Sequence, residues 1–85
     1  IKPRNKNGFH EVKAPMIGTF YQSSEPDAEA FVKVGDPVNE GDTLCIIEAM
    51  KGMNGNQSYM GGTITEIFAE DGKRVEYGQP LFCIT

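Results

Sequence analysis

Residues 35–47 read GDPVNEGDTLCII, and residues 72–84 read GKRVEYGQPLFCI. The second stretch repeats the first at a constant separation of 37 positions, the difference between Gly72 and Gly35. The residues that match at this separation are Phe31, Gly35, Val38, Gly41, Leu44 and Ile47, which correspond to Phe68, Gly72, Val75, Gly78, Leu81 and Ile84. Two equivalent halves in so short a chain are predicted to share one core with pseudo-twofold symmetry.

Upstream of this stretch the separation between the two copies increases. The residues that match at 44 positions are Met16, Gly18 and Thr19, which correspond to Met60, Gly62 and Thr63. The first half therefore holds seven extra residues (44 minus 37) between Thr19 and Phe31. Because an insertion centred on residues 22–30 has no counterpart in the second half, we expect it to protrude from the shared core.

Short segments rich in Val, Ile, Phe, Tyr and Thr alternate with turn-forming Gly, Pro and Asp along residues 9–85. This pattern is typical of an all-β domain. We predict a flattened β-barrel or sandwich of two four-stranded antiparallel sheets, preceded by a flexible tail or linker end at residues 1–8. In the repeated turns, Gly41 and Gly78 are predicted to supply the positive φ that a side chain would disfavour.

Composition excludes several classes of function for the 85 residues. Twelve acidic against eight basic residues give a net charge of −4, which argues against nucleic-acid binding, since that function needs a basic face. No apolar run approaches the length of about 18 residues that a membrane span requires, so we expect no membrane partner. His10 is the only histidine, so neither a histidine-centred catalytic triad nor a metal site is predicted.

The two cysteines each lie within an apolar run. Cys45 is followed by two isoleucines and Cys83 stands between Phe82 and Ile84. A free cysteine packs like a small apolar residue, so two buried thiols are predicted rather than a disulfide or a reactive pair.

Between the two halves, Glu48-Ala49-Met50-Lys51 follows an apolar strand and precedes a glycine-rich segment. A hairpin at this point would hold Lys51 at its tip, away from the core. On the residues alone, a lysine at a hairpin tip is ordinarily a solvated charge.

Four separated motifs resemble the biotinyl domains of acetyl-CoA carboxylase carrier proteins, within the biotinyl/lipoyl family. Glu48-Ala49-Met50-Lys51 resembles the Glu-Ala-Met-Lys signature of biotinyl domains. Residues 14–21, APMIGTFY, and residues 75–81, VEYGQPL, are similar to the opening and closing stretches of these domains. Residues 24–28, SEPDA, are similar to their protruding thumb, and the repeat independently places an insertion there.

The resemblance implies a non-catalytic carrier that works as a swinging arm. A biotin protein ligase would attach biotin to Lys51, and the arm would then take a carboxyl group from biotin carboxylase to a carboxyltransferase. Malonyl-CoA for fatty-acid synthesis would result, in the cytoplasm or in the stroma of a plastid. The site residues that the resemblance implies are Lys51, flanked by Glu48, Ala49, Met50, Gly52 and Met53, and the thumb residues Ser24, Glu25, Pro26, Asp27 and Ala28.

The segment after the lysine departs from the family pattern. At 44 positions, Asn56 corresponds to Val12, so a polar residue is predicted at an apolar core position, at a cost of about 1–3 kcal/mol if it is buried without a partner. Asn54-Gly55 is a strong hairpin-turn signal and competes with a turn at Met50-Lys51. Since chain length and register are kept on both sides, we favour the turn at Met50-Lys51.

Three alternatives remain at this point. The first is a biotinyl domain of another carboxylase or decarboxylase, against which the thumb-like segment argues. The second is a lipoyl carrier domain of a 2-oxoacid dehydrogenase complex, where Asp rather than the Met50 seen here typically precedes the lysine. The third is an unmodified structural module with the same fold, which the unusual residues Gly52, Gly55 and Asn56 favour.

Overall fold

The short β-branched and aromatic segments form eight strands in a computed structural model that describes residues 9–50 and 52–85. The strands are β1 His10–Lys13, β2 Gly18–Tyr21, β3 Pro37–Val38, β4 Thr43–Ala49, β5 Gly52–Gln57, β6 Gly62–Ile67, β7 Arg74–Val75 and β8 Pro80–Ile84. These described residues contain no helix, and thus none that could cross a membrane. The predicted all-β class is confirmed, while the predicted tail at residues 1–8 lies outside the described part of the chain.

The eight strands form two antiparallel sheets whose orders confirm the pseudo-twofold symmetry. One sheet has the order β1-β8-β6-β3 and the other has β5-β4-β2-β7. Exchanging β1–β4 with β5–β8 converts one order into the other. Each sheet thus takes two strands from each half of the sequence, so neither half has a core of its own.

The core lies between the sheets and is built from residues that match in the repeat. Leu44 and Leu81 are fully buried, and the rings of Phe20 and Phe82 pack with their centroids 5.9 Å apart. Burying a side chain of this size stabilises the fold by about 1.5–3 kcal/mol. The other fully or nearly fully buried side chains are Ile47, Ile64, Ile84, Val75 and Cys45.

Two pairs of repeated glycines are required, one pair by close packing and the other by the backbone conformation of a turn. At Gly18 and Gly62 a Cβ atom would collide with a backbone carbonyl oxygen, that of Glu48 in the first case and that of Thr85 in the second. Gly41 and Gly78 have φ of 95° and 83°, which confirms the predicted turns. The repeat in the sequence therefore reflects equal steric demands at both ends of the domain.

The two cysteines are free and buried, as predicted. Burial raises the pKa of the Cys45 thiol to about 11, and the neighbouring Asn56 side chain lowers it by less. Cys45 is therefore a protonated, inert part of the core at neutral pH.

Asn56 lies half-buried on β5, at the position that corresponds to Val12 in the repeat. It pairs with Cys45 across β4 and β5, and its amide nitrogen is buried without a hydrogen-bond partner. The nearby thiol is only a weak acceptor and makes no hydrogen bond of ordinary geometry with this nitrogen. Val12, the matching residue in β1, is buried as an apolar side chain. The second half thus carries an unpaired amide where the first half has a valine.

Replacing Asn56 with valine should stabilise the domain, because the buried nitrogen disappears and the β-branched side chain suits a strand. We expect the free energy of unfolding to rise by about 1–2 kcal/mol. In a domain of this size, each kcal/mol raises Tm by roughly 4–8 °C. Urea and thermal unfolding followed by circular dichroism measure both quantities.

The matched control is Gln57→Val, which places the same residue at the next, exposed position of β5. Equal stabilisation by both variants would mean that strand propensity, rather than the buried amide of Asn56, explains the gain.

Candidate functional site

The hairpin formed by β4 and β5 reverses the chain at the Glu-Ala-Met-Lys motif. Glu48 pairs with Met53 and Ala49 with Gly52, so Met50 and Lys51 are the two residues that connect the paired strands in the sequence. Lys51 itself lies outside the described residues. The hairpin therefore turns at the motif, as predicted.

The competing turn at Asn54-Gly55 does not form. Asn54 pairs with Ile47 and Gly55 pairs with Ile46, so both residues lie within β5. A turn centred on them would change the register against β4, and a register shift of one residue moves every side chain to the other face of the sheet. Ile47 is buried in the core, which fixes the inward face of β4. The register of β5 against β4 follows from that and overrides the local turn signal of Asn54-Gly55.

The residues next to the reversal are exposed and locally constrained. Met50 is as exposed as in an extended chain, at 102%. Gly52 has a φ of 115°, a conformation that residues with a side chain rarely adopt. Gly52 departs from the usual family residue, but its conformational freedom suits the first position after a tight reversal.

Asn54 holds the outer strand close to the reversal. Its side-chain amide donates a hydrogen bond of 3.0 Å to the carbonyl oxygen of Gly52 and a longer one of 3.4 Å to that of Ile47. The amide thus links β5 to β4 near the tip, a role that sequence reasoning missed because it considered Asn54 only as part of a competing turn.

Glu48 lies on the outer face of its sheet and is oriented by a tyrosine. The phenol of Tyr21 donates a hydrogen bond of 3.0 Å to Oε1 of Glu48. This bond, followed by the negative charge of Glu48, raises the pKa of Tyr21 above its usual value of 10.0. Sequence reasoning missed Tyr21, although it ends the APMIGTFY motif, because the contact joins residues 27 positions apart.

The predicted thumb occupies part of the connection from β2 to β3, residues 22–36, whereas the matching connection from β6 to β7 spans only residues 68–73. The backbone N–H of Phe31 donates to the carbonyl oxygen of Gln22 at 2.8 Å and closes the base of the segment. The N–H of Gln22 donates to a carboxylate oxygen of Asp71, also at 2.8 Å. The base of the thumb is therefore attached to the turn that follows β6.

Within the thumb, Ser23 is buried and the residues after it are exposed. The Ser23 hydroxyl donates to the carbonyl oxygen of Glu25 at 2.7 Å, and the N–H of Ala28 donates to the same oxygen at 3.1 Å. The thumb is thus ordered by its own backbone and leaves the side chains of Ser24, Glu25, Pro26, Asp27 and Ala28 exposed.

A cavity of about 240 Å³ separates the thumb from the hairpin. Its lining residues are Tyr21, Ser23, Ser24, Glu25, Pro26, Met53 and Asp71. The structure therefore brings three of the five predicted thumb residues together with Met53, while Asp27 and Ala28 do not line this cavity. A larger cleft of about 750 Å³ involves residues of β1, β6 and β8, in the other sheet.

The sequence model of the family described as "Biotin-requiring enzyme", the biotinyl/lipoyl domains, matches residues 10–84. The chain belongs to this family. As a biotinyl/lipoyl domain it is 51% identical over 73 residues to the "Biotin carboxyl carrier protein of acetyl-CoA carboxylase" of Pseudomonas aeruginosa, covering 86% of this chain and 47% of that protein. It is likewise 51% identical over 79 residues to the chloroplastic carrier protein 1 of Arabidopsis thaliana, covering 93% of this chain and 28% of that protein.

Solved structures agree with this assignment. The crystal structure of the Kluyveromyces lactis urea carboxylase matches with a TM-score of 0.75 and 27% identity over 91% of this chain and 6% of that chain. A single-chain, multi-domain long-chain acyl-CoA carboxylase matches with a TM-score of 0.77 at 22% identity, over 92% of this chain and 7% of that chain, and supports the fold alone. The chain thus spans less than half of the relatives named above, and the predicted family and fold are confirmed.

Gly52→Ala should destabilise the domain by about 1–2 kcal/mol, because alanine would have to adopt the positive φ of Gly52. Gly55→Ala is the matched control on the same strand. Gly55 has no positive φ, and an added Cβ would meet only the end of the flexible Gln57 side chain at 3.3 Å.

We expect Gly55→Ala to be neutral or stabilising by up to about 1 kcal/mol, since glycine weakens a strand interior. Urea unfolding of both variants measures the difference. Equal effects of the two substitutions would show that Gly52 does not hold a left-handed conformation.

The pKa of Tyr21 should depend on Glu48. Glu48→Gln removes the charge but keeps an acceptor, and Glu48→Ala removes both, so we expect the pKa to fall in the order wild type, Glu48→Gln, Glu48→Ala. Because the folded pKa is raised, this contact stabilises the fold below about pH 10 and the contribution is lost as pH rises through the folded pKa.

Titration of ring-labelled tyrosine by NMR measures the pKa of Tyr21 in each variant. Glu76→Ala, which removes a carboxylate bonded to Arg74 on the same sheet, is the control. A Tyr21 pKa that is insensitive to both Glu48 substitutions would contradict the hydrogen bond.

Proposed function

We propose that this chain is the biotin-bearing domain of an acetyl-CoA carboxylase carrier protein, with biotin attached to Lys51. The observation that carries the proposal is the chain reversal between Ala49 and Gly52, within a domain that is about half identical to carrier proteins of that name. Met50, the described residue of this two-residue reversal, is fully exposed, so its side chain is available to other proteins rather than packed in the core.

An enzyme would carry out the attachment, so Lys51 has no need to be self-reactive. A lysine amine with an ordinary pKa near 10.4 is almost entirely protonated at pH 7. A biotin protein ligase would activate the biotin carboxyl group with ATP and take a proton from the lysine ammonium group. The nitrogen then forms an amide bond to the carboxyl carbon as the bond from that carbon to the phosphate oxygen breaks.

The residues around the reversal fit a long covalent arm. Covalent attachment needs an exposed amine rather than a deep pocket, and Met50 and Gly52, the described neighbours of Lys51, are both exposed. When bound, biotin supplies a ureido nitrogen that accepts a carboxyl group and later releases it. Glu48, Ala49, Met50, Gly52 and Met53 would form the surface from which the arm extends.

The thumb would provide a resting surface for the arm. The cavity of about 240 Å³ combines apolar surface from Met53 and Pro26 with polar groups from Ser24 and Glu25. A bicyclic ring with an apolar edge and a ureido group is matched by such a mixed lining. Asp27 and Ala28 would contribute to the thumb's outer surface.

The partners follow from this role. Biotin carboxylase would supply the carboxyl group and a carboxyltransferase would pass it to acetyl-CoA, so the domain would carry and not catalyse. A flexible tether raises the local concentration of its end to about the millimolar range at each enzyme. The relatives are bacterial and chloroplast proteins, which favours the bacterial cytoplasm or the plastid stroma as the location.

The lipoyl and unmodified alternatives are less well supported. Met50 stands where lipoyl carriers typically have Asp, and the relatives named above carry the biotin carrier name. The unusual residues of β5 do not move the chain reversal, because Asn54 and Gly55 are paired with β4 inside the strand.

Co-expression with a biotin protein ligase, followed by intact-mass measurement, tests the proposal. We expect the mass to rise by one biotin and the gain to disappear in Lys51→Arg. Lys73→Arg is the control, because Lys73 lies next to β7, two strands away from β4, and should not affect modification.

A folded domain that gains no biotin would support the unmodified module instead. Addition of a lipoyl group by a lipoyl ligase, without biotin, would support the lipoyl carrier.

A further inference from the structure

Four strands lie at the edges of the two sheets, namely β1 and β3 in one sheet and β5 and β7 in the other. An edge strand directs every second N–H and C=O group away from its sheet, and these groups can pair with a strand of another molecule. Proteins protect such edges with charged side chains, with proline or by keeping the strand very short. The four edges of this domain differ in how far they are protected.

Three of the four edges carry at least one of these protections. β3 and β7 have two residues each, and they begin with Pro37 and Arg74. β1 has four residues, of which Glu11 and Lys13 are charged. β5 has six residues, GMNGNQ, without a proline or a charged side chain. Among the strands that the structure describes, β5 is therefore the long and unprotected edge.

The absence of charge extends beyond β5 itself. Residues 52–65 contain no Asp, Glu, Lys or Arg, although 24% of the chain is charged. Like charges that face each other across two strands oppose their pairing. A second copy of β5 therefore meets no like charge within the strand pair, in spite of the net charge of −4 on each domain.

The faces of β5 determine how two copies would align. Asn54 and Asn56 pair with buried residues of β4, so they lie on the inner face of the sheet. Met53 pairs with the exposed Glu48 on the outer face, and alternation along the strand places Gln57 there as well. Both faces stay continuous when two β5 strands run antiparallel about a twofold axis normal to the sheet.

One such register pairs the whole of residues 53–57. It places Gly55 opposite Gly55 of the second copy, Asn54 opposite Asn56 and Met53 opposite Gln57. An asparagine side chain has both a donor and an acceptor group, so the opposed amides of Asn54 and Asn56 complement each other. The side chains of β5 therefore match those of a second copy, in addition to the main-chain groups.

We propose that β5 is a self-association edge, at which two copies of this chain pair into one continuous sheet of eight strands. The inference goes beyond the proposed function and does not depend on biotin. The order would be β7-β2-β4-β5, followed by the same strands of the second copy in reverse. Because each β5 is used against the other, the contact closes on itself and ends in the protected β7 on both sides. A dimer is therefore expected rather than a fibre.

Such a dimer is compatible with modification of Lys51. In the register centred on Gly55, position 51 of one copy is level with position 59 of the other, eight residues further along. At about 3.4 Å per residue, the two chain reversals would lie roughly 27 Å apart, at opposite ends of the strand pair. The dimer therefore does not bring the two lysines together.

Sedimentation equilibrium of the 85-residue chain, from about 10 µM to 1 mM, tests the proposal by mass action. A contact between two short strands is small, and small contacts are typical of weak complexes, so we expect a dissociation constant of about 0.1–1 mM. The average mass should rise with concentration from that of one chain toward that of two.

Met53→Lys/Gln57→Lys places like charges opposite each other across the strand pair and should raise the dissociation constant by about fivefold or more. The matched control is Val34→Lys/Thr63→Lys, which adds the same two charges at exposed positions on β6 and before β3, away from β5. We expect the control to stay within about twofold of wild type. Urea midpoints in the range of the control establish that the β5 variant is folded.

A mixture of two variants separates strand pairing from general repulsion. Met53→Lys/Gln57→Lys raises the net charge by two, from −4 to −2, and Met53→Glu/Gln57→Glu lowers it by two, to −6. Both variants stay negative overall, so their net charges oppose association. We expect the mixture to associate more tightly than either variant alone, because opposite charges then face each other across the two β5 strands.

Amide hydrogen exchange of the wild type locates the contact without any substitution. Raising the protein concentration should slow exchange in β5, whereas exchange in β1, β3 and β7 should not change. This measurement decides the matter by itself if the β5 variants do not fold.

Three outcomes would overturn the inference. The first is a wild type that stays monomeric up to the highest concentration. The second is association that the β5 and control variants weaken equally, and the third is protection from exchange at another edge; both would assign the contact to a different surface. None of them affects the proposed function, which fails separately if the mass of the domain does not rise by one biotin.

Discussion

The pairing of β4 with a strand on each side is the constraint on which the rest of the domain depends. Ile47 lies in the core and pairs with Phe20 on one side and Asn54 on the other. With Ile47 inside, Glu48 must face outward, and the next two residues bring the strand to its end. A slip of one residue would exchange the inner and outer faces of the whole strand. The location of the reversal is therefore a consequence of core packing rather than of local turn preference.

Much of the architecture could be predicted from the sequence, because residues that match in the repeat pack in the same way in the two halves of the domain. The matched Leu44 and Leu81 are both buried, and Asn56 is an unpaired amide where its counterpart Val12 is apolar. These inferences need only the correspondence between two parts of one chain. They do not require knowledge of which strands are neighbours.

The site was less predictable because it depends on contacts between distant segments. The hydrogen bond from Tyr21 to Glu48 and the attachment of Gln22 to Asp71 join residues 27 and 49 positions apart. Asn-Gly indicated a turn that tertiary register overrides, and Gly52 was an unexplained departure from the family pattern although its φ of 115° suits the reversal. Local signals failed at these positions because the surrounding sheet, rather than the dipeptide, determines the backbone.

The outer strand of the hairpin has a dynamic consequence. None of the residues of β5 is fully buried, and the strand lies at the edge of its sheet with β4 as its single neighbour there. Pairing with β4 rather than buried side chains therefore holds β5 to the domain, and fraying of β5 would leave the core residues in place. The hairpin would then change shape at its outer strand while the body of the domain stays unchanged.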